Sequence, residues 1–501
     1  MPTEFRFCRL IVIKNKNMSK KIAIYFILSI IAVFVYKNSI QAETVSPYYT
    51  KGLTKSADFE VKVNGKAIFT EHFEIPTPKE PNITDRERNF VTRVYDYIRD
   101  IQQVALARFP ADHNATIEVI LTNPGGEYKV RPIRSGMTVE QTDKGHITIK
   151  MPGPMYTQID VEGLPSLILI PEQDPGMDID IKVANVKYFP PGIHYAGEIK
   201  AESNQIIYIP AGAVVYGYII GENCENLKII GNGTLDTTNE ERGRCIHFNN
   251  CSNVLVDGLM LRSSKIGWMV VPKFSRGITY RNLKILGFGT NNDGIDIVSC
   301  SDIVVENCYI RSTDDCIAIK TEKDDGTENI KVRGCTMNGY ASSDGFTIGF
   351  ETRNFVRHIE VSDCFIISAK GTGTSGGHSG FSIVCDGPGP ISDVLFDNIH
   401  IDEVDYKNFE LLITNGKHYV NMEPGSINNV TIRNVHWARA DMPFMIWGFG
   451  PQNKVQNITF ENCSVGGIPL KSAANGRYII NRYTDNIKFI YNGDVKMFRR
   501  F

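Results

Sequence analysis

From residue 225 onward, one short pattern of apolar and polar positions recurs ten times. Each copy has one or two polar residues, an alternating apolar run, a corner of Asn, Asp or Gly, and a second short alternating run. Alternation with a period of two predicts β-strands, so each copy predicts two strands joined at a corner. The copies are Glu225–Asp236, Ser252–Ser263, Arg276–Gly287, Ser301–Ser312, Glu328–Gly339, Arg357–Ser368, Ser392–Glu403, Asn428–Arg439, Gln456–Gly467 and Asp485–Lys496.

Successive copies begin 24 to 36 residues apart. A repeat of this length predicts a solenoid or a propeller, but a propeller blade needs about 40–45 residues for its four strands. A third apolar run lies between most copies, for example Ile295–Val298 and Ile317–Lys320. Three strands per repeat fit one coil of a parallel β-helix, whose coils bury their apolar faces only by stacking. We therefore expect an all-β protein with a parallel β-helix over residues 186–501.

Residues 43–180 lack this repeat and predict a small antiparallel β-sandwich in front of the β-helix. Turn residues such as Asn64-Gly65 separate alternating runs there, which is the signature of consecutive antiparallel strands. The runs are Phe59–Val63, Thr116–Leu121, His146–Met151 and Ser166–Ile170.

Residues 1–42 predict a secretory signal peptide. Ile22–Tyr36 is an apolar run that follows Lys20-Lys21, and small residues end at Ala42, where we expect cleavage. A transmembrane anchor is the alternative, but the run is short for a membrane span. A conventional signal peptide would start at Met18, so the start codon of this chain could be mis-assigned and residues 1–17 would then not belong to the protein. Export to the periplasm or the extracellular medium would follow.

Composition excludes some classes of function. The chain has 501 residues and a net charge of −2, which gives no electrostatic footprint for nucleic acid. None of its eleven cysteines is arranged as Cys-x-x-Cys. We expect no metal and no cofactor, and we expect Cys308, Cys335, Cys364 and Cys463 to form a ladder of small buried residues. One or two disulfides are the alternative in an oxidising compartment.

Three aspartates predict the chemistry. Asp293 lies in Asn-Asn-Asp-Gly-Ile-Asp-Ile, and Asp314 and Asp315 lie in Ser-Thr-Asp-Asp-Cys one repeat later. Equivalent positions in adjacent coils stack about 4.7–4.9 Å apart, so the pKa values of these carboxyls must split. A carboxylic acid beside carboxylates is what hydrolysis of a glycosidic bond requires. The alternative is Asp at plain β-helix corners, where Asx turns are common, as we expect for Asp363.

The motifs Asn291-Asn292-Asp293 and Asp314-Asp315-Cys316 resemble those of the polygalacturonases, glycoside hydrolase family 28, over roughly residues 186–470. The resemblance implies a right-handed, pectin-lyase-like β-helix that hydrolyses a polysaccharide or an oligosaccharide with inversion. It implies that Asp314 protonates the leaving oxygen. Asp293 and Asp315 would hold and deprotonate the attacking water, and Asn292 would contact substrate.

Two later motifs depart from the family. Asp344 stands where polygalacturonases have the histidine of Gly-His-Gly, and Ser382 and Val384 replace the arginine and lysine of Arg-Ile-Lys. Those cations face a uronate carboxylate, so their loss predicts a neutral sugar at the cleavage subsite. Here the chain resembles the dextranases of family 49, which also have Asp in that coil and a β-sandwich in front. A true polygalacturonase, a β-helix uronate lyase or epimerase, and a non-catalytic glycan-binding β-helix remain alternatives.

Further side chains are candidates for binding substrate in the cleft. Trp268 could stack on a sugar face, and Lys320 shares the outward side of the strand that follows Asp315. Each candidate also has an ordinary structural explanation, such as a packing tryptophan, a solvated lysine, an Asx turn or a loop histidine. The full set is Trp268, Asn292, Lys320, Asp344, Arg353 and His378.

Overall fold

The computed structural model describes residues 46–75 and 103–498, except 112, 124–125, 144, 175, 177–178, 324, 372–377, 416–417 and 420. The predicted signal peptide, residues 1–42, lies outside the described residues. The described chain consists of β-strands and one short 3-10 helix, Ala473–Asn475. Within these ranges no helix has both the length and the apolar character that crossing a membrane requires.

Two five-stranded sheets form the N-terminal β-sandwich. Their strands are β1 (Phe59–Val63), β2 (Lys66–Ile68), β3 (Thr70–Glu74), β4 (Gln103–Pro110), β5 (Ala115–Leu121), β6 (Tyr128–Arg131), β7 (Thr138–Asp143), β8 (His146–Met151), β9 (Thr157–Val161) and β10 (Ser166–Glu172). The first sheet has the order β2-β1-β5-β8-β7 and the second β3-β4-β10-β9-β6. All pairs are antiparallel except β4 with β10.

Three parallel ladders form the β-helix. The first contains β11 (Val186–Tyr188), β13 (Ile206–Tyr208), β15 (Lys228–Ile230), β18 (Ser252–Asp257), β21 (Arg276–Arg281), β24 (Ser301–Glu306), β27 (Thr327–Arg333), β30 (Val356–Ser362), β33 (Ile391–Asp397), β36 (Ile427–Arg433), β39 (Val455–Glu461), β43 (Thr484–Tyr491) and β44 (Asp494–Met497). We call one step along a ladder a rung.

The second and third ladders both start from two long strands, β12 (Gly192–Ala201) and β14 (Ala213–Glu222). The second continues through β16 (Thr234–Asp236), β19 (Met260–Ser263), β22 (Lys284–Gly287), β25 (Tyr309–Ser312), β28 (Thr336–Gly339), β31 (Phe365–Ala369), β34 (His400–Val404), β37 (His436–Trp437), β40 (Ser464–Val465) and β41 (Ile468–Pro469). The third continues through β17 (Ile246–Asn249), β20 (Val270–Lys273), β23 (Ile295–Val298), β26 (Ile317–Thr321), β29 (Phe346–Thr352), β32 (Ser379–Cys385), β35 (Lys407–Ile413), β38 (Phe444–Trp447) and β42 (Tyr478–Ile480).

The inward residues of the three ladders fill one apolar core. In β24, for example, Ile303 and Val305 are fully buried, while Asp302, Val304 and Glu306 alternate with them on the outer side. The ten described cysteines are all buried and free, as expected for a ladder of small residues rather than disulfides. The predicted fold, a right-handed parallel β-helix preceded by a β-sandwich, is confirmed.

The Asn and Asp residues near the start of each copy of the repeat follow from backbone geometry. Near the start of first-ladder strands, one residue per coil takes a left-handed conformation, with φ of 57° at Asp302 and 58° at Asn329. Asn and Asp tolerate this region better than other side chains. Their side chains also bond between rungs, since Asn329 Nδ2 donates to Asp302 Oδ1 at 3.0 Å.

Only the first half of the tenth copy of the repeat, Asp485–Lys496, continues the coil, because β43 pairs parallel with β39. Its second strand, β44, turns back and pairs antiparallel with β43. Asn492 and Gly493 make the turn with φ of 50° and 85°, and two consecutive positive φ values are those of a type I′ hairpin. The second ladder ends in the same way, because β41 pairs antiparallel with β40.

The sandwich packs against the second ladder. Strands β4 and β10 are buried on both faces: one face lies against the other sheet, and the other covers outward apolar residues such as Leu286 and Tyr309. Charged pairs cross this contact. Arg262 on β19 donates two hydrogen bonds to Glu71 on β3, at 2.8 and 2.7 Å. Phe288 belongs to the same contact and begins the turn that carries Asp293, so the sandwich supports that turn.

Candidate active site

The pairing register places three aspartates in one column on the outer surface. Strands β23, β26 and β29 pair so that their first residues oppose one another. An aspartate lies two residues before each of these strands, so Asp293, Asp315 and Asp344 occupy equivalent places on three successive rungs. The ladder continues into the turns, because the Asp344 N–H donates to Asp315 Oδ1 at 2.9 Å. Asp314 lies beside the middle member.

Asp293, Asp314 and Asp315 form what we call the aspartate cluster. One oxygen from each lies within 4.8 Å of one oxygen from the other two. Asp293 is 2% exposed, and within the described residues its Oδ1 has no hydrogen-bond partner. Asp314 and Asp315 are half-buried, and Asp314 Oδ1 accepts the Asp315 N–H at 3.0 Å. The cluster therefore combines a buried carboxyl oxygen that lacks a partner among the described residues with two half-buried carboxyls.

The cluster retains protons that isolated aspartates would lose. Burial, then the charges of Asp296 and Asp314, raise the pKa of Asp293 well above its usual range. Burial, then the charges of Asp344 and Asp314, do the same to the pKa of Asp315. Carboxyls this close titrate as a unit rather than one by one. The cluster thus releases its protons at higher pH than isolated aspartates would.

Lys320 is the cation of this site. Its Nζ lies 3.0 Å from Asp296 Oδ1, 3.7 Å from Asp293 Oδ2 and 3.5 Å from Glu351 Oε2, and 3.9 Å from the centre of the Trp268 ring. Burial alone would lower its pKa, but the carboxylates outweigh burial and raise the pKa well above the usual value. Lys320 is therefore permanently charged and partly neutralises the cluster.

Asp344 and His378 form an ion pair one rung farther along. Asp344 accepts hydrogen bonds from the Ser379 N–H at 2.5 Å and from Ser382 Oγ at 2.6 Å, and its Oδ1 lies 3.7 Å from His378 Nδ1. Burial opposes ionisation of Asp344, but the bonds to His378 and to the two serines outweigh it, so its pKa is lowered. Burial likewise opposes the charge on His378, but Asp344 raises its pKa to about 9.

The serine that replaces the family's arginine therefore has a role of its own. Ser382 is fully buried and holds Asp344, the residue that replaces the family's histidine. The side chains at two of the substituted positions, Ser382 and Asp344, are thus joined by a hydrogen bond. Val384, at the place of the family's lysine, is also buried, with 3% exposure.

The remaining predicted binding residues lie in different surroundings. Asn292 is fully buried, and both its amide N–H groups donate to backbone carbonyls at 2.6 and 2.8 Å, while Oδ1 accepts two backbone N–H groups. An amide with this many bonds holds the turn of Asp293 and has no group left for a sugar. The guanidinium of Arg353 lies 3.0 Å from Met422 Sδ, in the loop after β35. Direct contact of either residue with substrate remains a prediction that this geometry does not support.

Carboxylates at these distances raise the question of a metal ion. Asp315, Asp344 and His378 also have one ligand atom each within 4.8 Å of the others. Asp344 already accepts hydrogen bonds from Ser379 and Ser382, and its charge raises the pKa of His378 to about 9, which favours the protonated imidazole. A protonated imidazole cannot bind a metal. The chemistry of these residues therefore favours protons over a metal ion.

Sequence reasoning missed a chain of charged residues behind Lys320. Glu351 Oε1 lies 3.2 Å from His418 Nε2, and His418 Nδ1 lies 2.8 Å from Oδ2 of the fully buried Asp386. Glu351 takes a left-handed backbone, with φ of 59°, which is costly for a non-glycine residue outside a special environment. His418 lies in the loop after β35, and no local motif indicates that this loop returns to β29. The chain connects Asp386 through His418 and Glu351 to Lys320.

Comparison with known proteins agrees with this geometry. Residues 222–475 match the sequence profile described as Glycosyl hydrolases family 28. A probable polygalacturonase of Vitis vinifera is 32% identical over 176 residues, which cover 30% of this chain and 35% of the relative. One of Arabidopsis thaliana is 29% identical over 126 residues, 23% of this chain and 26% of the relative. The chain thus matches about a third or less of the length of these relatives.

A solved structure shares the fold over most of the chain. Dex49A from Penicillium minioluteum, a family 49 dextranase, superposes with a TM-score of 0.55. The alignment covers 90% of this chain and 91% of Dex49A, at 14% sequence identity. The resemblance to family 28 with features of family 49 is confirmed.

Proposed function

This chain belongs to glycosyl hydrolase family 28, and on that premise we propose that it hydrolyses O-glycosidic bonds in a polysaccharide or an oligosaccharide. The aspartate cluster carries the proposal, because three carboxyls lie within 4.8 Å of one another and burial and mutual repulsion raise the pKa of two of them, so that protonated and ionised carboxyls occur side by side as the cluster titrates. General acid catalysis at the leaving oxygen and activation of water need this combination. A non-catalytic glycan-binding β-helix would not need three clustered carboxyls whose charges repel one another.

Each member of the cluster has a proposed role. Asp314 protonates the leaving oxygen with a proton that the coupled carboxyls share, and Asp293 with Asp315 holds the water and takes its proton. Lys320 limits the negative charge that accumulates when the proton leaves. We propose inversion at the anomeric carbon, as the resemblance to family 28 implies, with Asp293 and Asp315 holding the water that attacks. Proton NMR of the first product tests this, and a product with retained configuration would contradict it.

The cleavage subsite is proposed to take a neutral sugar. A uronate needs a cation to face its carboxylate, but Ser382 and Val384 are buried and Asp344 brings a negative charge. The nearby cations, Lys320 and His378, are already engaged by carboxylates.

Hydrolysis assays with neutral and acidic glycans test the choice of sugar. We expect neutral α-glucans or α-galactans to be cleaved faster than polygalacturonate at equal protein concentration. Faster cleavage of polygalacturonate would instead assign the chain as a true polygalacturonase. Export by the predicted signal peptide is part of the proposal, since polysaccharides do not enter the cytoplasm. N-terminal sequencing of protein from the periplasm or medium tests it, with cleavage expected after Ala42.

A further inference from the structure

A second group of polar residues lies on the outer surface of the third ladder, before the aspartate cluster. Strands β17, β20 and β23 pair with their first residues opposed. The residues two positions earlier are Arg244, Trp268 and Asp293, which therefore form one column. Arg244 stands two rungs from Asp293, about 10 Å at the usual strand spacing. Trp268 lies between them.

Arg244 is half-buried without a partner. Among the described residues, no hydrogen bond, ion pair or ring contact engages its guanidinium. Burial lowers its pKa, and the largest opposing influence is the charge of Asp296. Because Asp296 also contacts Lys320, Arg244 lies on the same surface as the catalytic residues. A guanidinium partly removed from water without a partner is unfavourable, which an acidic ligand would correct.

His247 on β17 is a second unsatisfied group on this surface. Its Nε2 is buried and has no partner among the residues described. Burial, followed by the charge of Arg244, lowers its pKa to about 4. The charges of Lys273 and Arg242 lower this pKa further, and the charge of Glu222 raises it. His247 is thus neutral at physiological pH, and it would contact a ligand through a hydrogen bond from its ring nitrogen rather than through a positive charge.

The neighbouring cations are already engaged. Lys273 Nζ lies 2.7 Å from Glu322 Oε1, and the guanidinium of Arg242 lies 4.7 Å from the centre of the Tyr218 ring. Arg244 is therefore the cation of this group that has no protein partner among the described residues. Its planar fork suits the paired oxygens of a carboxylate or a sulfate.

We propose that Arg244 and His247 form a subsite for an acidic substituent of the glycan, a uronate carboxylate or a sulfate ester. A pyranose residue of an extended glycan is about as long as one rung, so the acidic residue lies one or two sugars from the cleaved bond. Trp268 would lie beneath the intervening sugar. The inference rests on the proposed function and refines it. The substrate is an acidic heteroglycan that is neutral where it is cut and charged nearby.

Binding to a hydrolytically inactive protein tests this subsite. The full chain carrying Asp314→Asn is titrated calorimetrically with short pectin fragments in which galacturonate alternates with rhamnose, and with the same fragments after carboxyl reduction. Sulfated galactan fragments and their desulfated forms make the second arm. We expect one acidic form to bind better than its neutral counterpart. Adding Arg244→Gln should weaken binding of that form about 10- to 100-fold, the value of a hydrogen bond to a charged group. Binding of the neutral form should not change.

Two further variants control for charge and folding. Arg244→Lys keeps the charge but not the fork and should recover part of the affinity. Arg276→Gln removes an exposed arginine from the first ladder, on another face, and should change nothing. NMR of His247 gives an independent measurement, because a bound anion must raise its pKa above about 4.

The outcomes separate this inference from the proposed function. Equal binding of acidic and neutral forms, binding of none, or equal loss of both on Arg244→Gln would overturn the acidic subsite. The carboxylate and sulfate arms identify which group is recognised. Hydrolysis of neutral glycans by the native protein is measured separately. An enzyme that cleaves them without acidic preference would retain the proposed function and lose this subsite.

Discussion

His378 should make the stability of this protein depend on pH in the alkaline range. Its imidazole has an ordinary pKa of 6.5 and a pKa of about 9 in the fold, because Asp344 favours the charged form. A group whose pKa is raised by folding stabilises the folded state fully below 6.5, and this contribution disappears as the pH rises through about 9. At 1.36 kcal/mol per pH unit, the contribution is about 3 kcal/mol.

Urea unfolding of the native protein and of His378→Asn, at pH values from 6 to 10, measures this contribution. The difference in unfolding free energy between the two should be largest at pH 6 and should shrink by about 3 kcal/mol by pH 10. Loss of packing is independent of pH, so only the pH-dependent part reports the ion pair. His358→Asn is the matched control. His358 is exposed on the first ladder with φ of 56°, a conformation that asparagine tolerates.

The same substitution should alter the reaction. The charge of His378 lowers the pKa of Asp315 against the dominant effect of burial, so its removal should raise that pKa further. The acidic limb of the pH–rate profile should therefore move to higher pH. A free-energy difference that stays constant between pH 6 and 10, together with an unmoved acidic limb, would refute the proposed pairing.

Three further substitutions test other parts of the site. Asp314→Asn should reduce turnover about 10²- to 10⁴-fold, the value of general acid catalysis, while Asp363→Asn, at an exposed corner, should leave it unchanged; similar rates would exclude the assigned role. His418→Ala should lower kcat/KM by about tenfold and also lower the melting temperature, because it leaves the buried Asp386 without its imidazole partner; an unaltered rate would remove His418 from the site. Glu71→Ala should destabilise the fold by about 3–5 kcal/mol, because it leaves the charge of Arg262 buried and unpaired; a loss below 1 kcal/mol, measured by urea unfolding, would show that water reaches Arg262.

Local alternation was enough to predict the repeating strands. The run Ile295–Val298 coincides with β23, because a strand that faces both the core and the outer surface must show the alternation. The spacing of Asp293 from Asp315 also placed them on adjacent rungs. Both conclusions depend only on residues within one or two coils.

The hairpin at the end of the chain was misassigned although the sequence contained its signal. Asp485–Lys496 has the alternation of a coil, but Asn492-Gly493 between alternating runs is a strong indication of a two-residue hairpin. The repeat pattern outweighed this local signal in the prediction. The turn itself decides the direction of β44, because it reverses the chain within two residues.

Contacts between distant segments could not be read from the sequence. His418 reaches Glu351 from a loop whose path no short motif specifies. Ser382 was interpreted only as a lost cation, since nothing local shows that its hydroxyl bonds to Asp344. Likewise, whether Arg244 has a partner depends on side chains from several coils.

The backward strands at the far end of the β-helix have a consequence for self-association. A parallel ladder that stopped at an open rung would present unpaired N–H and C=O groups, a template on which another copy could add a strand. β41 and β44 instead occupy these edges on two of the three ladders. Gly466 and Gly467, with φ of 55° and 76°, make one of these reversals possible. Replacing Gly466 or Gly467 by residues that cannot adopt this backbone would expose the edge again, and molecules could then stack end to end into fibres.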